Sequence, residues 1–374
     1  MPSRPTEGYL VELQSVRGIA AVAVVLHHVW YFYGMPREVR ALVDVFLNAH
    51  AAIVVFFVLS GFVLAKSLMR TGLSRAVVYG FFVRRAFRVY PLLIFATLVC
   101  LTYMLSFPHT EIIGASASSA MRFDLASVTV ISIALSLTGW PTILPTAYTI
   151  VIELIGSAFM PAIARFTKAG WTWSVLMLSA FSVLCLFGGI ISPKLFWFSF
   201  LLHFALGAVV AFHAQTDRKM HSVHLAVGVA ACLLGLIFTR AVWFYAQTGT
   251  LQPVDFDYGN PLLSLIEGVF AAGLIWVIAS GSDTLKWLRH GIFVRIGDVS
   301  YGIYLLHFPL MFVSAQIVQS QGWLGESLPW KIFSLGVLTL TLTLITSSMA
   351  YEWIEKPFIA LGKRGIRKWP PIST

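Results

Sequence analysis

The sequence predicts an all-α integral membrane protein, a bundle of about ten transmembrane helices with both termini cytoplasmic. Three observations lead there. Of the 374 residues, 58% are hydrophobic and only 11% are charged, which is far from the make-up of a soluble domain. The apolar residues come in runs of about 17 to 25, the length that crosses a bilayer as a helix. Lys and Arg gather in alternate connections between those runs, as cytoplasmic loops do.

The runs fall at 17–33, 46–65, 87–107, 146–164, 171–191, 195–213, 222–244, 261–280, 296–318 and 330–353. Residues 1–16 lack the compact basic, apolar and small-residue pattern of a cleavable leader, so the first run is expected to remain as a helix. One further stretch, Leu125 to Gly139, holds only 15 residues. If the N-terminus is inside and this stretch does not cross, 20 of the 26 basic residues lie inside, against six outside: Arg37, Arg40, Arg122, Lys194, Arg240 and Lys331. If it crosses, the count falls to 11 inside and 15 outside. The stretch is therefore expected to dip within a long outer connection, Pro108 to Ala147, and Asp255 and Asp257 are also placed outside.

Residues 1–374 read as a single transmembrane domain, with no fixed-period repeat and no low-complexity tract. A basic tail, 355–374, is expected to lie against anionic lipid at the inner face. The net charge of +10 is then a matter of loop orientation, and nucleic acid is not an expected partner. Cys100, Cys185 and Cys232 lie far apart in apolar runs and read as small core residues. No metal-like spacing occurs, so no metal site is expected.

The ionisable residues inside the runs carry the chemistry. Arg17 and His28 are eleven positions apart in the first run, close to three whole turns, so they share one helix face about 16 Å apart. Glu153 enters from the outer face, about 8 Å along its helix, to a depth like that of His28. An acid there can orient an imidazole and stabilise its protonated form, as a general base requires. Arg17, Arg85 and Arg88 fall at the inner boundary, where guanidinium groups can hold phosphates bidentately. Each has a bland reading too: arginines at the start of a run set topology, and a buried His with a Glu can be structural. His27 is expected to serve packing or interhelical hydrogen bonding. A transporter or flippase is the rival class, since such residues also mark solute pathways, although no related halves are found.

The segment SVRGIAAVAVVLHHV, with its Arg-x10-His at Arg17 and His28, resembles the first helix of the acyltransferase-3 family of membrane acyltransferases. FFVLSGF at 56–62, RRAFRVYP at 84–91 with Arg85 and Arg88, YTIVIE ending at Glu153, GDVSYGIYLLHFPL at 297–310 and EKPF at 355–358 resemble later family motifs in the same order. The match departs at Tyr148, where the family has Trp, and at Val54, where it often has an acid. The resemblance implies transfer of an acyl group, commonly acetyl, from acetyl-CoA or another acyl-CoA to a hydroxyl of a sugar, polysaccharide or secondary metabolite. The acyl-CoA is then a donor substrate, not a permanently bound cofactor. His28 is implied as the catalytic base, Arg17, Arg85 and Arg88 as donor-handling residues, and a bacterial cytoplasmic membrane as the site of action. Tyr301 and His307 match the family pattern without an assigned role.

Overall fold

The computed structural model describes residues 11–33, 35–107, 128–192, 195–213, 222–250, 260–280, 283–321 and 328–367. Arg4, Leu125, Asp255, Asp257 and the tail from Lys368 lie outside them. The described chain runs through α1 (Val11–Phe32), α2 (Arg37–Phe46), α3 (Ala49–Thr71), α4 (Arg75–Ser106), α5 (Val130–Leu137), α6 (Tyr148–Lys168) and α7 (Trp171–Ile191). It continues through α8 (Phe196–Ser199), α9 (Leu201–His213), α10 (Ser222–Thr248), α11 (Pro261–Ala279), α12 (Gly291–Asp298), α13 (Ser300–Ser320) and α14 (Leu328–Ala350). One π-helical turn, Tyr351–Glu355, joins α14 to α15 (Lys356–Arg367). The result is an all-α membrane bundle.

Among the described residues, nine helical stretches are long and apolar enough to cross a bilayer. The expected run at 195–213 is the exception, because it breaks at Phe200 into the four residues of α8 and the thirteen of α9. At 1.5 Å per residue α9 covers about 20 Å, less than the apolar thickness of a bilayer. The ambiguous stretch resolves into α5, eight residues long and therefore about 12 Å. A reciprocal cap closes its start, Thr129 Oγ1 accepting from the Ser132 amide at 3.0 Å and Ser132 Oγ from the Thr129 amide at 2.7 Å. Gly139, at φ +92°, ends the segment. So short a helix cannot cross.

Three expected boundaries move. α4 starts at Arg75, twelve residues before the expected 87, so Arg85 and Arg88 lie inside a 32-residue helix and not at its mouth. Residues expected as a tail form α15, which packs on α4 through Phe87 and Phe358, their rings 6.5 Å apart. Arg240, counted on the outer side at the end of the run 222–244, lies well within α10 (Ser222–Thr248) and is buried. It can be there because Glu267 of α11 neutralises it: Nε is 2.9 Å from Oε1. His50 Nδ1 meets Oε2 at 2.5 Å, and Asn48 donates to Oε1 at 3.0 Å and to the Leu236 carbonyl at 2.9 Å. Cys100 and Cys185 are buried and Cys232 half-buried, all as free thiols.

α13 is the centre of the bundle. In its most apolar stretch 83% of residues are buried, against 22% for the stretches in α7 and in α10, which therefore turn most of their surface to lipid. α13 packs on α1, α4 and α14, and α1 in turn on α3. α3 and α9 form the closest seam, where Gly61 meets the Phe204 backbone and Gly207 meets the Val58 carbonyl. A Cβ on Gly207 would lie inside the van der Waals radius of that oxygen, and small residues let membrane helices approach this closely. Gly207→Leu is expected to destabilise by at least the usual overpacking cost of about 1–3 kcal/mol, since backbone and not a side-chain tip must yield. The melting temperature in detergent reads the loss, and an unchanged value would mean that the seam opens freely.

Candidate active site

Four helices bring the ionisable residues together. α1 carries Arg17 and His28, α4 carries Arg85 and Arg88, α6 carries Glu153, and α13 carries Tyr301, Tyr304 and His307. All but His28 and His307 gather towards the end of α1 that bears Arg17.

His28 is held by its own helix. Its Nδ1 lies 2.8 Å from the carbonyl oxygen of Val24. A carbonyl can only accept, so the proton is on Nδ1 and the basic lone pair is on Nε2. The His28 ring lies 5.1 Å, centroid to centroid, from that of His307. His27 turns to another face, where its Nδ1 is 3.3 Å from a carboxylate oxygen of buried Asp44 on α2. The contact sets α1 against α2.

Glu153 does not take the position expected of it. Its carboxylate is engaged by Arg85 in a close ion pair and by Ser60 Oγ at 3.4 Å. Arg85 Nε donates to Ser157 Oγ at 2.8 Å, and that hydroxyl donates to the Glu153 carbonyl at 2.7 Å. The pairing with His28 is thus replaced by a pairing with Arg85. The cause is the early start of α4, which carries the Arg85 guanidinium about 15 Å along the helix to the depth of Glu153. Arg85 and Glu153 are therefore members of one cluster, not of opposite ends.

A cleft of about 430 Å³, counting the open space at its mouth, lies beside this cluster. Arg17, Ser60 and Glu153 line its polar side; Ile53, Phe56, Phe57 and Ile150 line its apolar side. Tyr301 and Tyr304 complete the wall. Tyr301 is anchored by its hydroxyl, which donates to the Val89 carbonyl at 3.0 Å. The Tyr304 ring lies 5.9 Å from that of His307, so the cavity ends two rings short of His28. Arg88 is half-buried and is not one of the lining residues, and among the described residues it has no ion-pair partner.

Sequence reasoning missed two acids. Glu355, in the π turn, is only 1% exposed, and neither carboxylate oxygen has a hydrogen-bond partner among the described residues. Arg88 and Arg17 are the cations that act on it. The segment EKPF entered only as a likeness, although a π turn is itself a common mark of a functional position. Glu267 was missed because its run reads as uniformly apolar, yet an acid inside such a run was the available signal.

The chain is similar to known acyltransferases. A family profile described as an acyltransferase domain matches residues 10–348. The chain is 24% identical to the acyltransferase MdmB of Streptomyces mycarofaciens over 97% of its own length and 95% of that protein's. It is 27% identical to YrhL of Bacillus subtilis (strain 168), a protein named for peptidoglycan O-acetyltransfer, over 41% of this chain and 21% of that one. It is 30% identical to protein 2 in the picA locus of Rhizobium radiobacter over 28% of this chain and 50% of that one. The chain thus spans nearly all of MdmB but about a fifth of YrhL and half of the picA-locus protein. No solved structure matches it. With the profile covering nearly the whole chain and the helices to carry it across a bilayer, the protein belongs to the acyltransferase-3 family and is a multi-pass membrane acyltransferase.

Proposed function

We propose that the protein transfers an acyl group, acetyl in the simplest case, from acyl-CoA to a hydroxyl of a sugar, polysaccharide or secondary metabolite. The observation that carries this reading is the cluster of Arg17, Arg85 and Glu153 at the cavity, with His28 beyond the rings of Tyr304 and His307. Guanidinium groups at one end suit the phosphates of a nucleotide. The cavity takes an extended thioester arm between its apolar and tyrosine walls. At the far end His28, its tautomer set by Val24, presents Nε2 to an alcohol. The proton leaves the hydroxyl as its oxygen attacks the thioester carbon, and the sulfur departs. Glu153 acts on the donor side by holding Arg85, a positioning role and not that of a partner to the base.

Both termini and the arginine end face the cytoplasm in this reading, in a bacterial inner membrane, because the donor is a cytoplasmic metabolite. The names of two relatives support the chemistry: MdmB is called an acyltransferase, and YrhL is named for O-acetylation of peptidoglycan. Purified protein with radiolabelled acetyl-CoA and a panel of methyl glycosides tests the reading directly. Label is expected in an ester that mild alkali releases; its failure to pass to any hydroxyl, with no thiol released, would count against the proposal.

Donor binding has its own readout. A ligand that binds only the native state stabilises it by about 2.7 kcal/mol at a hundredfold excess over Kd, so coenzyme A is expected to raise the melting temperature. Arg88→Ala should remove most of that rise and lower the unliganded melting point less than Arg85→Ala does, since among the described residues Arg88 forms no close ion pair. Arg85→Ala should lower the unliganded melting point as well, because it leaves Glu153 without its cation. Equal behaviour of the two variants would overturn this division.

A further inference from the structure

We propose that Glu355 is a positioning residue for the donor: its carboxylate balances Arg88 and Arg17 beforehand, and it takes up a proton as the donor's phosphates settle on them. The inference rests on the reading of the arginine end as the donor site. Its independent support is the state of Glu355 itself. The residue is 1% exposed, and neither carboxylate oxygen has a hydrogen-bond partner among the described residues. A buried carboxylate without hydrogen bonds is sustained only by the cations around it. Those cations are Arg88 first and Arg17 second, with the charge of Asp298 working against them.

The backbone puts the acid there. Two residues three apart lie near one face of an ordinary helix, but the wider coil of the π turn Tyr351–Glu355 separates Glu352 from Glu355. Glu352 is exposed and satisfied, with Arg295 Nη1 at 3.0 Å and Lys356 Nζ at 2.9 Å. Glu355 is turned inward. The turn packs on α4, α14 and α15. From α4 comes Arg88. The ionisable residue of α14 is Lys331, at its far end. On α15, Lys356 is committed to Glu352, and Lys363 and Arg364 are exposed. Tyr301 of α13 and Tyr351 of the turn lie in the field of the carboxylate as well.

Charge without contact is what distinguishes this acid from Glu153. Glu153 closes on Arg85 in an ion pair and occupies its N–H groups. Glu355 offsets the charge of Arg88 without a hydrogen bond, so the guanidinium keeps its donors for a phosphate, which it can hold bidentately. Once an anion lies on Arg88 and Arg17, a like charge stands beside the carboxylate and the cations no longer favour its ionised form. A proton from solvent then binds a carboxylate oxygen and restores the balance. No bond of the donor changes in this step; the donor adds negative charge and Glu355 gives up one unit of it.

The test measures the affinity of the wild type and of Glu355→Gln for dephospho-CoA, whose pyrophosphate keeps its charge throughout, from about pH 5 to about pH 9. A ligand that binds together with one proton loses up to about tenfold in affinity for each unit of rising pH. The wild type is therefore expected to lose at least about tenfold across the range. Glu355→Gln keeps the shape and has no charge to shed, so it should bind about tenfold more tightly than the wild type at the alkaline end, with a nearly flat profile. A purely structural glutamate would shift affinity equally at every pH, so parallel profiles overturn the proposal. They would leave the donor reading standing, whereas a wild type that binds dephospho-CoA at no pH removes both. Should the glutamine variant not fold, calorimetry on the wild type in two buffers of different ionisation heat decides. About one proton must enter with each dephospho-CoA near neutral pH, and an uptake of none overturns the proposal.

Discussion

His28→Ala is expected to slow acyl transfer by about 10²- to 10⁴-fold, the usual contribution of a general base, in a protein that remains folded and inserted. The loss should appear in kcat. The arginine cluster lies about 16 Å away along α1, and the cavity that would receive the donor arm is lined by other residues. Coenzyme A should therefore raise the variant's melting temperature as it raises that of the wild type. Truncating a buried ring against His307 costs some stability, so the melting curve must be taken alongside the rate. A variant that folds, binds coenzyme A and still transfers acetyl at the wild-type rate would falsify the assignment.

The largest effect on stability is expected at Glu267, remote from the reaction. Individual polar contacts in membrane proteins contribute little, about 0.6 kcal/mol on average, because the unfolded chain in lipid also finds partners. Glu267 differs in number and in charge. It is fully buried and accepts from Arg240, His50 and Asn48 together. Glu267→Leu leaves a guanidinium uncompensated in the bundle interior, a change that costs about 3–5 kcal/mol where one member of a buried pair is removed. Replacing Arg240 by leucine in the same protein should return much of the loss, because two apolar residues can substitute for a buried pair. Thermal melts of the single and double variants decide it: if the single variant melts as the wild type does, or the second change deepens the loss, the cluster is not what joins α3, α10 and α11.

The membrane spans could be read from the sequence because a run of apolar residues long enough to cross lipid has few other uses. The same logic failed wherever the backbone departs from one run per helix. Nothing in the composition of 195–213 marks the break at Phe200, and α4 begins among arginines that look like a loop. That second error moved the site. Depth measured from the expected mouth of each run sets Glu153 beside His28. The true start of α4 instead brings Arg85 to Glu153 and leaves the base to a main-chain carbonyl. Arg17, His28, Arg85 and Arg88 were identifiable singly, as charges or bases with no cheap reason to be in a membrane. Their pairings were not, since partners on helices far apart in sequence are chosen by packing, and one residue of register turns a side chain by about 100°.

The bond from His28 to Val24 has a wider consequence. An amide oxygen of the main chain persists whatever residue evolution or an experimenter installs at position 24. The readiness of the imidazole is in this respect built into the coil that bears it, and no exchange of side chain at that site can reverse which nitrogen faces the alcohol. Only distortion of that helical turn could do so, which makes local straightness of the helix a condition for turnover.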